Sequence, residues 1–356
     1  MKRTPNPRVA AIPSELALIQ SIRRQAATHT RSRSLALGIG DDCAVLRPRP
    51  GYDLCVTTDF SLEGVHFRRD WHPPQSAGHR CLARGLSDLA AMGAEPLAVF
   101  LSLALPARLP RAWLDGFLEG FLALARQHRV PLAGGDTAQS PGPVTADIVA
   151  LGQLPRNTAR LRSTAQPGDL LYVTGVLGGS AAELLALARA PRLARAATNP
   201  TSGDHPHLYP QPRLALGRRL RPLVHAMIDI SDGLSTDLLH LCQESAVAAE
   251  IDAAALPIHP LALQMERQKT GQPRPADSTS SPLHLALHGG EDYELLFTAS
   301  PSAKIPRSLA GVPIHRIGSL RKPARHRASI LLKTHEGRLI PVQPAGWEHF
   351  RREQVR

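Results

Sequence analysis

With 356 residues, 43% of them hydrophobic, the chain is long enough for two domains, each with its own core. No apolar run approaches the roughly 18 residues that mark a membrane helix, and "MKRTPNPRVAAIPSELALIQ" lacks the apolar core of a secretory signal. The expectation is therefore a cytoplasmic protein with no membrane association. A net charge of +12 raises nucleic acid as a partner, but the arginines are scattered through 1–33, 156–162, 189–222 and 316–327, with few aromatics between them and no binding motif. That spread argues against nucleic acid as the primary partner. Cys43, Cys55, Cys81 and Cys242 form no CxxC pair and have no companion histidine spacing for zinc, so they read as free thiols in a reducing compartment.

Residues 1–13 and 26–34 read as flexible basic flanks around a short helix, capped by Ser14 and marked by the apolar spacing Leu16, Ile19, Ile22. "DLCVTTDF" (53–60) predicts a strand, and "AGHRCLARGLSDLAAMGA" (77–94) a helix that ends at Gly93. "EPLAVFLSLALP" (95–106) predicts a buried strand, "RAWLDGFLEGFLALARQHRV" (111–130) an amphipathic helix, and "PLAGGDTAQS" (131–140) a short strand with a glycine turn. "VTADIVALGQLP" (144–155) is another strand. The second half opens with a strand over Leu170–Thr174, a glycine-rich bend and a helix. "MIDISDGLSTDL" (227–238) predicts a buried strand turning into a helix. The Pro-, Ser- and Arg-rich stretches 189–213 and 267–283 read as surface insertions or loops. Strands mixed irregularly with helices indicate an α+β class, divided into domains 1–155 and 156–356.

The acidic residues are unusual in their surroundings. Asp41 and Asp42 in "GIGDD", Asp59, Asp88, Asp136 in "GGD", Asp229 and Asp232 in "DISD", and Glu291 and Asp292 in "GGED" stand in apolar or glycine-flanked contexts. Each alone is equally well a turn residue or a helix N-cap. Gathered together they would repel one another unless a cation neutralised them. The accompanying donors are hydroxyls, with no His/Cys set, and such hard oxygen ligands suit magnesium. "GVLGGS" (175–180) before a helix offers backbone amides to a phosphate, and Arg162 reads either as a bidentate phosphate contact or as a solvated surface arginine. Asp237, one turn into its helix, reads as a helix-surface acid facing the dipole.

Ten stretches in order carry a family resemblance: "LGIGDDCAVL", "VTTDFSLEGVHF", "LSDLAAMGAEPLAVFLSLALP", "GGDT", "RSTAQPGDLLYVTG", "GGSAAELLAL", "YPQPRLALG", "MIDISDGLSTDL", "GGEDYELLF" and "GWEHF". Together they resemble the thiamine-monophosphate kinases, relatives of aminoimidazole ribonucleotide synthetase. The resemblance implies two α+β domains, a homodimer formed through the N-terminal sheet, and an active site between domains at the dimer interface. The implied reaction transfers the γ-phosphoryl group of ATP to thiamine monophosphate, with two or more magnesium ions. By motif, it makes Asp41, Asp59, Asp88, Asp136 and Asp232 magnesium ligands, with Thr57, Thr58 and Asp229 beside them. Asp232, Asp136 and Asp88 are the implied catalytic acids, and Ser231, Arg162 and the backbone near Gly135 the implied ATP contacts. His66 would meet the substrate phosphate or serve as a structural hydrogen-bonding residue, and Glu291 and Trp347 would line the thiamine side. The sequence departs from the family pattern at Arg80 (lysine expected), Gly85 (asparagine), Thr164 (glycine) and in longer insertions near 189–206 and 267–283. Two rivals stand beside this reading: another ATP-using enzyme of the superfamily with a different acceptor, and a basic nucleic-acid-binding protein. Selenophosphate synthetase would need an N-terminal cysteine with a nearby lysine, and the first 34 residues hold no cysteine.

Overall fold

The computed structural model describes residues 15–27, 33–39, 43–196, 204–267, 280–323 and 329–347. It divides into two compact units. One is drawn from Met1–Gly85, Pro96–Gln153 and Ala194–Ala196; the other from Leu86–Glu95, Leu154–Leu193 and Ala197–Arg356.

The first unit carries α1 (Glu15–Ala27), the antiparallel pair β1 (Leu35–Leu37) and β2 (Val45–Leu46), β3 (Tyr52–Leu62) and the start of α2 (Pro74–Ala91). β4 (Glu95–Pro106), α3 (Arg111–Gln127), β5 (Leu132–Ser140) and β6 (Thr145–Pro155) follow. The four long strands form a sheet in the order β3-β6-β4-β5, with β4 and β5 parallel. α3 is amphipathic, and it buries Leu114, Phe117, Leu118, Phe121 and Leu122 on one side. α2 and α3 touch backbone to backbone. A Cβ on Gly78 would stand 1.9 Å from the Phe117 carbonyl oxygen, and one on Gly120 the same 1.9 Å from that of Gln75. The departure at Gly85 has a local reason, since a Cβ there would stand 2.6 Å from the Ile148 Cδ1 of β6.

The second unit takes up α2 from Leu86. It continues with β7 (Leu170–Thr174), α4 (Gly179–Arg189), α5 (Leu214–Leu220), β8 (Ala226–Asp229), α6 (Leu234–Glu244), β9 (Ala248–Asp252), α7 (Pro260–Arg267) and α8 (Pro282–His288). β10 (Leu295–Ala299), β11 (Ser308–Leu309), β12 (Val312–Arg321), β13 (Ile330–Lys333) and β14 (Leu339–Pro341) complete it. The sheet runs β14-β13-β9-β12-β7-β10-β8, with β11 on β12. Its pairs are antiparallel apart from β13 on β9. α6 sets Leu234, Leu238, Leu241 and Cys242 against Leu171, Val173, Ile228, Ile251, Leu296 and Ile317 in one core. Each such leucine contributes about 2–3 kcal/mol on burial.

Two sequence expectations change. Gly134–Thr137 lie inside β5 and not in a turn after it. The segment 204–213 is packed, with His207, Leu208 and Tyr209 buried, and is no surface insertion. Of the other expected insertion residues, Pro191–Ala196 form a short helical turn and α8 begins at Pro282, while 197–203 and 268–279, the flank 1–13 and Ser14 lie outside the described residues. All four cysteines are free, as expected. Among the described residues no helix is long and apolar enough to cross a membrane.

Candidate active site

In the second unit the site is built on the turn between β8 and α6. β8 ends at Asp229, which is buried and accepts a 2.6 Å hydrogen bond from the Ser87 hydroxyl. That bond brings the end of α2, with half-buried Asp88, up to the strand. The chain then turns through Ser231, Asp232 and Gly233. One oxygen of Asp237, Oδ2, accepts the backbone N–H of all three, each at 3.1 Å. Asp237 is only 2% exposed. It is therefore no helix-surface acid, contrary to the sequence reading, but the clamp that shapes the turn. Burial, then the Asp229 and Asp232 charges, push its carboxyl well above the usual carboxylate range, against the pull of the amides of Asp232 and Gly233.

Two further segments are tied to this turn. The Glu291 N–H donates to the Ser231 carbonyl at 2.7 Å and the Tyr293 N–H to that of Ile230 at 2.9 Å, so "GGED" lies along "DISD". Glu291 adopts φ +64°, a left-handed conformation that tertiary contacts must hold in a non-glycine residue. From the C-terminal side the Trp347 N–H donates to the Asp232 carbonyl at 3.1 Å, and the Gly346 N–H to the Thr236 hydroxyl at 3.2 Å. The indole stays 52% exposed beside the turn. Ser231, Asp232, Glu291 and Trp347 are thus brought together.

The neighbouring acids have structural roles. Glu294 is buried in a forked ion pair with Arg213 and accepts from the Thr174 hydroxyl at 2.6 Å. Asp292 accepts from the Gly178 N–H at 2.6 Å and the Ser180 N–H at 3.1 Å. The glycine bend at "GVLGGS", expected to offer its amides to a phosphate, already holds a carboxylate of this chain. Burial pushes the Asp292 carboxyl up to about 7, against the pull of the amide bonds.

In the first unit, strand alternation puts Thr57 and Asp59 on one face of β3, while Thr58 shares the other with exposed Val56 and Phe60. Arg84 Nε stands 3.5 Å from Asp59 Oδ1. His66 Nδ1 accepts the Leu62 N–H at 3.0 Å; a peptide N–H only donates, so the proton of the neutral ring stands on Nε2. The His66 carbonyl accepts from buried Arg80 at 3.0 Å, which fixes the loop. Gly135 adopts φ +148°, and a Cβ there would stand 1.8 Å from the Leu101 carbonyl oxygen, so only glycine lets β5 lie against β4 at this point. Beside it, exposed Asp136 caps the Thr137 N–H at 2.8 Å. A cavity of about 1090 Å³ in this unit is lined by Gly135, Asp136, Ser102, Phe100, Ile39 and Cys43, among others.

The expected magnesium ligands therefore fall into two groups: Thr57, Thr58, Asp59 and Asp136 in one unit, Asp88, Asp229 and Asp232 in the other. Asp41 lies outside the described residues. Among the described residues no three His, Cys, Asp or Glu side chains form a metal cage. Magnesium fits such a donor set without one, because it takes one or two carboxylates and completes its shell with waters and substrate phosphates. Arg162 is exposed, and its carbonyl accepts from Ser245 at the C-terminal end of α6, opposite the Asp232 turn. Sequence reasoning missed Asp237 and His207, a buried side chain 3.4 Å from Glu291. An acid four residues after the turn glycine was the available signal for the first; none marked the second.

Residues 40–154 match the AIR synthase related protein, N-terminal domain, and residues 166–303 the C-terminal domain of the same description. The thiamine-monophosphate kinase of Haemophilus influenzae is 36% identical over 328 residues, 89% of this chain and 93% of that protein. The crystal structure of thiamine-monophosphate kinase from Stenotrophomonas maltophilia is similar at a TM-score of 0.72 and 36% identity, covering 91% of this chain and 98% of that one. AaThiL complexed with AMPPCP and TMP is similar at a TM-score of 0.69 and 27% identity, covering 94% and 97%. The α+β fold is thus the two-domain architecture of the AIR synthase related proteins, and with likeness running through both halves of the chain and through the turn that carries Asp232, this protein belongs to the thiamine-monophosphate kinase family.

Proposed function

We propose that this chain phosphorylates thiamine monophosphate to thiamine diphosphate by direct transfer from ATP. The observation that carries the reading is the clamped turn of Ser231 and Asp232, with a carboxylate and an exposed indole tied to it by main-chain bonds. Thiamine presents a cationic thiazolium and an amino-pyrimidine. An aromatic face suits the first and a carboxylate acceptor the second, so Trp347 and Glu291 line the thiamine side. His66 meets the substrate phosphate. Ser231 and the backbone at Gly135 hold ATP phosphates, and Arg162 holds a part of the nucleotide farther from the transferred group. An oxygen of the acceptor phosphate bonds to the γ-phosphorus as the bond to the leaving ADP oxygen breaks. The acceptor oxygen is already anionic near neutral pH, so the transfer needs no strong base.

Two or more magnesium ions, held by Asp41, Thr57, Thr58, Asp59, Asp88, Asp136, Asp229 and Asp232, would offset the negative charge of donor and acceptor phosphates. Of these, Asp88, Asp136 and Asp232 are the acids assigned to catalysis. Residues 1–155 form the domain with the metal and ATP contacts, and 156–356 the domain with phosphate and substrate contacts. Leu54, Val56 and Phe60, exposed on edge strand β3, support a homodimer formed through this sheet. Four free cysteines suit the reducing cytoplasm. Incubation with ATP, magnesium and thiamine monophosphate should yield thiamine diphosphate and ADP in equal amounts. ADP with no thiamine diphosphate, or efficient transfer to another acceptor only, would overturn the reading.

A further inference from the structure

We propose that His207 is a positioning residue for Glu291, holding that carboxylate from Nδ1 in the orientation that receives the thiamine part of the substrate. The proposal rests on the assignment of Glu291 to the thiamine side. His207 is 1% exposed, in a segment whose composition resembles a surface loop. Its backbone N–H donates to Glu183 Oε2 at 2.7 Å, the Leu208 N–H to the same oxygen at 3.3 Å, and His205 Nδ1 pairs with Glu183 Oε1 at 2.7 Å. Buried Glu183 of α4 thus fixes where the His207 ring begins.

Nδ1 of that ring stands 3.0 Å from Ser180 Oγ and 3.4 Å from Glu291 Oε2. A carboxylate only accepts, so the contact is favourable when the proton stands on Nδ1, shared between the two oxygens. With the proton on Nε2 alone, a lone pair of Nδ1 would face the carboxylate. Glu291 is fixed at its own backbone by the 2.7 Å bond to Ser231, and Asp292 beside it by the first amides of α4. The Glu291 side chain is 22% exposed, and the buried His207 ring stands directly against its Oε2.

Two substitutions separate this role from packing. In His207→Asn an amide N–H stands near the place of Nδ1; in His207→Gln it stands near that of Nε2. In the full-length chain, Asn should keep the KM for thiamine monophosphate within about threefold and Gln should raise it about tenfold, with the KM for ATP unchanged in both. Glu291→Gln should raise the same KM, and adding His207→Gln to it should bring no further rise. Ser180→Ala leaves the ring in place and gives Nδ1 wholly to Glu291, so that KM should hold or fall; the comparison serves if the histidine variants do not fold. Equal effects of Asn and Gln, a joint rise in both KM values, additivity in the double variant, or a rise in Ser180→Ala would overturn the proposal while leaving Glu291 in its role. No effect of Glu291→Gln would remove that role, and the proposal with it.

Discussion

Asp237→Ala removes the acceptor of three backbone N–H groups at once, those of Ser231, Asp232 and Gly233. Each net hydrogen bond is worth about 0.5–1.5 kcal/mol, and water can reach the half-buried Ser231 and Asp232, so the expected loss of stability is about 2–4 kcal/mol. Asp237→Asn keeps an oxygen in the same place and ends the repulsion with Asp229 and Asp232, so it should cost less than about 1 kcal/mol. Function should follow the turn. With Ser231 and Asp232 no longer held, Asp237→Ala should lower kcat about a hundredfold, and Asp237→Asn much less. Urea unfolding gives the first quantity and ADP release with saturating substrates the second. If Asp237→Ala keeps both its unfolding midpoint and a kcat within about threefold of the unsubstituted chain, the clamp argument is wrong.

Gly135→Ala would force a Cβ to 1.8 Å from the Leu101 carbonyl, and should destabilise the first unit by about 3 kcal/mol or more; a near-unchanged melting temperature would contradict the packing of β5 on β4. Asp292, raised to about 7 from an ordinary 3.8, contributes stability that is complete below pH 3.8 and is lost as pH rises through 7. Asp292→Asn should therefore gain stability relative to the unsubstituted chain between pH 4 and pH 7 in urea titrations; a constant difference between the two would count against the buried carboxylate. Trp347→Ala removes the exposed indole beside Asp232 and should raise the KM for thiamine monophosphate about tenfold while sparing that for ATP, so an unchanged value would remove Trp347 from the thiamine side.

Local patterns carried much of the fold. The strand 95–106 and the helix from 111 were legible because apolar periodicity is a local property, and the structure places β4 and α3 there. The misreadings share a cause in distant partners. "GGD" resembled a turn because β4, which Gly135 must approach, lies over thirty residues upstream. "GVLGGS" resembled an open phosphate cradle because the carboxylate that fills it comes from Asp292, 112 residues from Ser180. The stretch 204–213 resembled a surface loop by composition, yet Glu183 and the core draw His207, Leu208 and Tyr209 inside. Asp237 was misread for a subtler reason. Its helical position matched an exposed acid, and only the backward turn of 231–233 shows that its carboxylate faces three amides.

The central claim is direct phosphoryl transfer from ATP to thiamine monophosphate. The measurement that tests it most directly is phosphorus NMR of the products formed from ATP carrying ¹⁸O in its γ-phosphoryl group. The account predicts thiamine diphosphate whose terminal phosphorus carries the label, appearing together with ADP. Labelled inorganic phosphate with thiamine monophosphate unchanged, or label on any other acceptor, would contradict it.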